Sequence, residues 1–322
     1  MTSVRIGADD AGCRLDRWLR RHVSLKKLSE IYLLIRKGGA KVNGRKRKES
    51  YRLKEGDTLD IAVPDAEISD GRLAGDDVPA TLVDTQYFQR NFTLLFEDEN
   101  LMVCDKPSGL VVHSGTGHLR HDSLIDLATS YLARSAGGTS PAPFLVHRLD
   151  RDTSGVILIA KNRQTLGALH EALRGTAIRK TYTALCHGRP RETQGVVDVG
   201  LVREYERRGG TKVRVAGKGL RSRSSYRVAA TRKGMSRLEV ELETGRTHQI
   251  RVHMAHLGCP VVGDTRYGDR KRDERVFADR ASRLKRLYLH AQRIGFFYPV
   301  LGREVVFESP VPSPFSALWN SL

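Results

Sequence analysis

The chain has 322 residues, enough for about two domains, and its 39% hydrophobic and 7% aromatic content excludes global disorder. Lysine and arginine number 55 against 37 acidic residues, a formal net charge of +18 that points to a polyanionic partner. No stretch approaches the roughly 18 apolar residues that cross a bilayer, and Arg5, Arg14, Arg17, Arg20 and Arg21 interrupt the first apolar stretches, so a cytoplasmic protein with no membrane partner is expected.

Charge divides the chain into three: residues 1–63 carry a net +8, residues 64–90 a net −4 and residues 91–322 a net +14. The middle stretch is acidic, punctuated by Pro64, Gly71, Gly75 and Pro79 and poor in large apolar residues, so it lacks the surface to offset its own ordering entropy. The expected organisation is a first domain over 1–75, a linker over 76–90 and a second domain over 91–322.

In the first domain Leu15, Trp18 and Leu19, then Leu28, Ile31, Tyr32 and Ile35, recur at three- and four-residue spacing and predict two short amphipathic helices, with Ser24 and Ser29 as candidate caps of the second. After the Gly38-Gly39 break come a short strand at Lys41-Val42, an Asn43-Gly44 turn, the basic run Arg45-Lys46-Arg47-Lys48 and an alternating strand over Thr58–Val63. This order resembles the small RNA-binding domain first described in ribosomal small-subunit protein S-four, carried by Arg14-Leu15-Asp16, Ile35-Arg36-Lys37-Gly38, Val42-Asn43-Gly44 and Leu53-Lys54-Glu55-Gly56-Asp57. The resemblance implies RNA contacts from Arg17, Arg36, Lys37, Arg45, Lys46 and Arg47; the plainer alternative is that the basic run is only a solvated face.

The second domain opens with apolar runs at Leu94–Phe96 and Leu101–Cys104 around a turn-prone Glu97-Asp98-Glu99-Asn100, a hairpin. Val156–Ala160 is a buried strand; Leu166, Leu169, His170 and Leu173 follow at helical spacing; Tyr182–Leu185 and Leu238–Leu242 are further strands. The fold class is therefore α+β: a small N-terminal helix and strand domain, and a larger one on a mixed, mainly antiparallel β-sheet. Cys13, Cys104, Cys186 and Cys259 form no C-x-x-C pair and are read as small, buried, reduced side chains. The eleven histidines include no H-E-x-x-H, so no metal is expected.

The segment His147-Arg148-Leu149-Asp150-Arg151-Asp152-Thr153-Ser154-Gly155 stands immediately before the buried strand. So many charges at a strand end make a candidate site, because unpaired buried charge is costly. A kinase reading of its H-R-x-D core fails for want of the glycine-rich loop, V-A-I-K, D-F-G and A-P-E. By residue type Asp150 and Asp152 compete as the reactive carboxylate, the second being equally suited to cap the following turn. Tyr182, after Arg179-Lys180, reads as a half-buried sheet aromatic. Over Thr247–Leu257 a helical stripe of Ile250, Met254 and Leu257 has Thr247 as candidate N-cap and Gly258 as stop, with His248 and Arg251 on another face. Taken alone, Arg251 is an ordinary surface arginine, and His248, His253 and His256 are structural hydrogen-bonders rather than metal ligands.

Six segments in one order resemble the RluA family of pseudouridine synthases across nearly all of residues 92–310: Asp105–Leu110 with Val112-His113, His147–Gly155, Arg179–Tyr182, Thr244–His253, Gly263–Gly268 and Leu289–Ala291. The wording of the second segment is most similar to the branch that modifies large-subunit ribosomal RNA. The resemblance implies the pseudouridine synthase fold and a cofactor-free isomerisation of uridine. It further implies Asp150 as the catalytic carboxylate, Arg251 as its partner, Tyr182 facing the target base and Arg148 holding the flipped nucleotide. Large-subunit ribosomal RNA is the expected partner and a monomer the expected state. The same reaction on transfer RNA, and a non-catalytic ribosome-assembly factor, are the competing readings.

Overall fold

The computed structural model describes residues 2–7, 10–23, 28–62, 92–113, 123–135, 142–206, 210–278 and 285–322. The chain divides into two units, Met1–Val83 and Asp84–Leu322; the expected linker over 76–90 lies outside the described residues.

The first unit comprises β1 (Thr2–Arg5), α1 (Leu15–His22), α2 (Leu28–Lys37), β2 (Ala40–Val42), β3 (Arg45–Lys46) and β4 (Thr58–Ile61), with an antiparallel sheet in the order β1-β4-β2-β3. The predicted stripe supplies its core: Leu15, Trp18 and Leu19 of α1 and Ile31 and Ile35 of α2 cluster with Val42, Leu59 and Ile61 of the sheet. Asn43 and Gly44, both at positive φ (51° and 72°), form the two-residue turn whose twist matches a hairpin, pairing Val42 with Arg45. Ser24 lies outside the described residues, whereas Ser29 falls inside α2 rather than before it. Cys13 is half-buried, unlike the other three cysteines. Arg17, Arg36, Lys37, Arg45 and Lys46 are exposed, and Arg47 departs from them, half-buried with its guanidinium 4.8 Å from the centre of the Tyr51 ring.

The second unit is a mixed, mainly antiparallel sheet, with eleven strands among the described residues. In chain order its elements are β5 (Thr93–Glu97), β6 (Leu101–Lys106), α3 (Leu124–Ser135), β7 (Phe144–Leu145), β8 (Ser154–Ala160), α4 (Arg163–Arg174), β9 (Arg179–His187), β10 (Gln194–Glu206), β11 (Gly210–Val215), β12 (Leu220–Arg232), β13 (Met235–Leu242), α5 (Gln249–His256), α6 (Arg270–Phe277), β14 (Leu289–Tyr298), β15 (Arg303–Glu308) and α7 (Ser313–Asn320). The main order is β11-β10-β12-β13-β9-β14-β8-β6-β5, with β15 on β14 and β7 on β8. All seven residues of β8 are buried, which is why it reads as a continuous apolar run rather than an alternation.

The parallel pairing of β8 with β14 sets His290 beside Ser154 and Ala291 beside Gly155. Gly155 has φ 118°, and a Cβ there would stand 2.1 Å from the Ala291 carbonyl oxygen, so only glycine lets the two backbones meet. This close approach fixes the start of β8, and with it the charged loop immediately before.

Candidate active site

The 147–153 loop is held from below by the segment after β6. Lys106, fully buried, donates from Nζ to the carbonyls of Pro107, Leu110 and Arg151, each at 2.8 Å. Burial pulls this ammonium down to about 7, with Asp152 and Asp150 pulling it back up. Ser108 Oγ donates to the Asp152 carbonyl at 2.7 Å and the Gly109 N–H to that of Arg151 at 2.9 Å. The Asp105–Leu110 segment, recognised in the sequence without an assigned role, is thus the clamp of the loop that carries Asp150.

A cleft of about 500 Å³ opens above this loop, lined by Arg148, Asp150, Lys180, Tyr182, Leu242, Thr247, His248, Arg251 and Leu289 among others. The α5 helix delivers Arg251 into it. Arg251 Nη1 donates to Asp150 Oδ2 at 3.1 Å, while Nε and Nη2 grip Asp264 Oδ2 and Oδ1 at 2.7 and 2.8 Å. Asp264 also accepts from the backbone N–H groups of Arg266 and Tyr267, at 2.9 and 3.0 Å. Burial alone would raise the Asp264 carboxyl, but the bonds and charge of Arg251 outweigh it and hold it below its usual value. Burial likewise opposes the Arg251 charge, and Asp264 and then Asp150 overcome that, raising its affinity for the proton. The guanidinium stands 5.1 Å from the centre of the Tyr267 ring, a cation–π contact.

Arg251 is accordingly no surface arginine, and Asp150 and Asp152 part company. Asp152 neither caps the turn nor reaches Arg251; its carboxylate takes Arg151 Nε at 3.0 Å and is about 44% exposed. Tyr182, the fourth residue of β9 rather than its first, is buried. Its burial, reinforced by Asp150, pushes the phenol well above its ordinary value, so it stays protonated. At the rim Arg148, Arg174 and Arg246 are exposed and Lys180 half-buried, four cations lining the cleft with the carboxylates of Asp150 and the exposed Glu243 and the Tyr182 phenol.

His253 and His147 make structural hydrogen bonds. His253, fully buried, has its ring nitrogens 3.2 and 3.0 Å from Ser222 Oγ and Ser224 Oγ, and burial lowers it to about 4. His147 Nε2 accepts from the Leu158 N–H at 3.2 Å. The expected N-cap Thr247 yields to His248, which occupies the cap position in the left-handed region, φ 55°, while Gly258 ends the helix as expected. A side-chain rule favours threonine there, whereas the His248 side chain caps nothing and places Nδ1 2.7 Å from the Tyr267 hydroxyl.

Sequence reasoning did not single out Asp264, Tyr267, Lys106, Lys180 or Arg246 as site residues. The signal available for the first two was the Gly263-Asp264 and Tyr267-Gly268 pattern, in which Gly268 leaves no room for a Cβ beside the Asp264 carbonyl, 2.2 Å away.

Residues 100–256 match the family model described as RNA pseudouridylate synthase, and residues 13–59 the S4 domain. The chain is 35% identical to ribosomal large subunit pseudouridine synthase C of Salmonella typhimurium over 96% of its own length and 92% of the relative's. It is similar to the protein of that name from Escherichia coli (strain K12) to the same extent, 35% over 96% and 92%. Its fold is similar to that of the solved structure titled human RNA pseudouridylate synthase domain containing 4, with a TM-score of 0.59 and 26% identity over 73% of this chain and 94% of that one.

Proposed function

This chain belongs to the RNA pseudouridylate synthase family, and on that footing we propose that it converts uridine to pseudouridine in large-subunit ribosomal RNA, with Asp150, Arg251 and Tyr182 as its catalytic residues. The ribosomal target is the one named for its relatives from Salmonella typhimurium and Escherichia coli.

The reaction breaks the N1–C1′ bond of uridine, turns the uracil, joins C5 to C1′, removes the C5 proton and returns a proton to N1. Nothing is oxidised and no group is donated. An ionised carboxylate is needed beside C1′ and C2′, as nucleophile or as base toward the C2′ proton. The observation that carries the reading is the Arg251 Nη1 to Asp150 Oδ2 hydrogen bond of 3.1 Å inside the cleft, because a fixed guanidinium fork pairs a carboxylate and aims it. Tyr182 offers a flat apolar face on which uracil stacks, with a neutral hydroxyl to serve the proton transfer at C5. The target nucleotide must leave its stack to enter, which costs a few kcal/mol. The rim cations Arg148, Arg174, Arg246 and Lys180 supply phosphate contacts to offset it. In the first unit Arg17, Arg36, Lys37, Arg45, Lys46 and Arg47 are assigned to RNA contact, the S4 domain spanning residues 13–59.

The test maps pseudouridines in RNA from cells with and without the gene, then repeats the reaction with purified variants. Asp150→Asn is expected to bind RNA and make no product, whereas Asp152→Asn retains turnover. The reverse pattern refutes the assignment, and product confined to transfer RNA moves the substrate there.

A further inference from the structure

The cleft holds a donor that the reaction above leaves unused. His248 keeps a left-handed backbone, φ 55°, which residues other than glycine hold where their surroundings impose it. The Tyr267 hydroxyl accepts from the Val213 N–H at 2.9 Å and lies 2.7 Å from His248 Nδ1. With the Val213 N–H on one acceptor position, the hydroxyl has its own proton to give to Nδ1, and a neutral imidazole so engaged carries its remaining proton on Nε2, the tautomer assigned here. Burial, and then Arg251, hold the ring below its ordinary value against the pull of Asp150, so the neutral form prevails near pH 7.

His248 Nε2 lies 3.9 Å from Asp150 Oδ2, the oxygen that Arg251 Nη1 reaches at 3.1 Å. That gap is too wide for a hydrogen bond and admits one oxygen atom at about 2.8 Å from each, subtending about 90°. The oxygen must accept from a nitrogen and donate to a carboxylate. A water does both in the empty cleft and a substrate hydroxyl does both in its place; carbonyl and phosphate oxygens cannot donate. With Asp150 beside C1′ and C2′ of the sugar, the hydroxyl at hand is the 2′-hydroxyl.

We propose that His248 is a specificity-determining residue which, together with Asp150, reads the ribose 2′-hydroxyl of the target uridine: the hydroxyl accepts from His248 Nε2–H and donates to Asp150 Oδ2. The inference rests on the function proposed above. It gives the cleft itself a means of telling RNA from DNA, because a deoxy sugar would leave the donor and the carboxylate without their shared partner.

Equilibrium competition tests it, using two RNAs that differ only in carrying uridine or 2′-deoxyuridine at the mapped position. With the wild-type protein the ribose competitor is expected to bind roughly five- to tenfold tighter, the share of one or two hydrogen bonds. His248→Asn, whose side chain tolerates the left-handed backbone and falls short of the gap, is expected to bring the ratio within about twofold by weakening the ribose competitor alone. Tyr267→Phe, which removes the hydroxyl that sets the tautomer, is expected to lower the ratio as well. A wild-type ratio near one, an unchanged ratio in either variant, or equal weakening of both competitors by His248→Asn overturns the proposal. Failure of the wild-type protein to make any pseudouridine is a separate result, which overturns the reaction on which the proposal stands.

Discussion

Replacing Asp264 by asparagine asks how far one buried carboxylate governs the aim of Arg251. The amide keeps the shape of the side chain, and its oxygen can still accept from Arg251 Nη2 and from the N–H groups of Arg266 and Tyr267. The atom that faced Arg251 Nε at 2.7 Å becomes a nitrogen, a donor set against a donor. The Asp264 side chain is 0% exposed and that of Arg251 10%, so water cannot stand in for the missing acceptor. Breaking a buried pair by removing one partner costs roughly 3–5 kcal/mol, and the retained acceptor sets this case at about 3 kcal/mol. A unit of this size loses roughly 2–4 °C per kcal/mol, so Tm is expected to fall by about 6–12 °C. The rate is expected to fall more steeply, about 100-fold, because Nη1 loses the anchor that points it at Asp150 and a displacement of about 1 Å is that costly. Thermal unfolding by circular dichroism and single-turnover tritium release from C5-labelled uridine measure the two effects. The Asp264 contribution is present above the ordinary carboxylate value of 3.8 and is lost as pH falls below it, so the gap in Tm between the two proteins should close on acidification. A variant with wild-type Tm and wild-type rate refutes the reasoning.

Tyr182→Phe keeps the ring and removes the phenol; tritium release is expected to slow roughly 100-fold with RNA affinity unchanged, and unaltered release would leave Tyr182 a packing role. Removing residues 1–83 is expected to leave a folded, weakly active second unit and to flatten the dependence of log affinity on log salt by about 0.7 for each phosphate no longer engaged; identical slopes would separate the first unit from RNA capture. His253 is neutral in the fold, lowered by burial from 6.5 to about 4, so the unfolded chain binds a proton that the folded one does not. Its stability is present above pH 6.5 and lost as pH falls toward 4, a decline on the order of 3 kcal/mol that His253→Gln should reduce when urea unfolding is followed across that range.

The strands that could be read from the sequence were those that bury large apolar side chains, such as β8 and the β5–β6 hairpin. The thirteen-residue β12 escaped because its inward positions include Ser222 and Ser224, fully buried yet silent to any hydrophobic period; they face His253 instead of a greasy layer. The four-residue β1, Thr-Ser-Val-Arg, carries one aliphatic side chain and owes its strand to pairing with β4, across more than fifty positions of chain. At the site, Asp150 and Arg251 are legible only through resemblance, since 101 positions separate them and local spacing says nothing of their meeting. Asp264 lies nearer in sequence to Arg251, but in a turn outside the helix, where no periodicity links the two.

Lys106 Nζ stands 2.8 Å from three carbonyl oxygens, one of them that of Arg151, while Ser108 takes the next carbonyl along. The stretch bearing Asp150 is therefore ordered when the chain folds, not when a nucleotide arrives. An incoming uridine meets a carboxylate whose conformational freedom has already been surrendered, and the entropic toll of association falls on the RNA. Substitutions at Lys106 should accordingly surface as slower capture and weaker binding of a substrate they never touch.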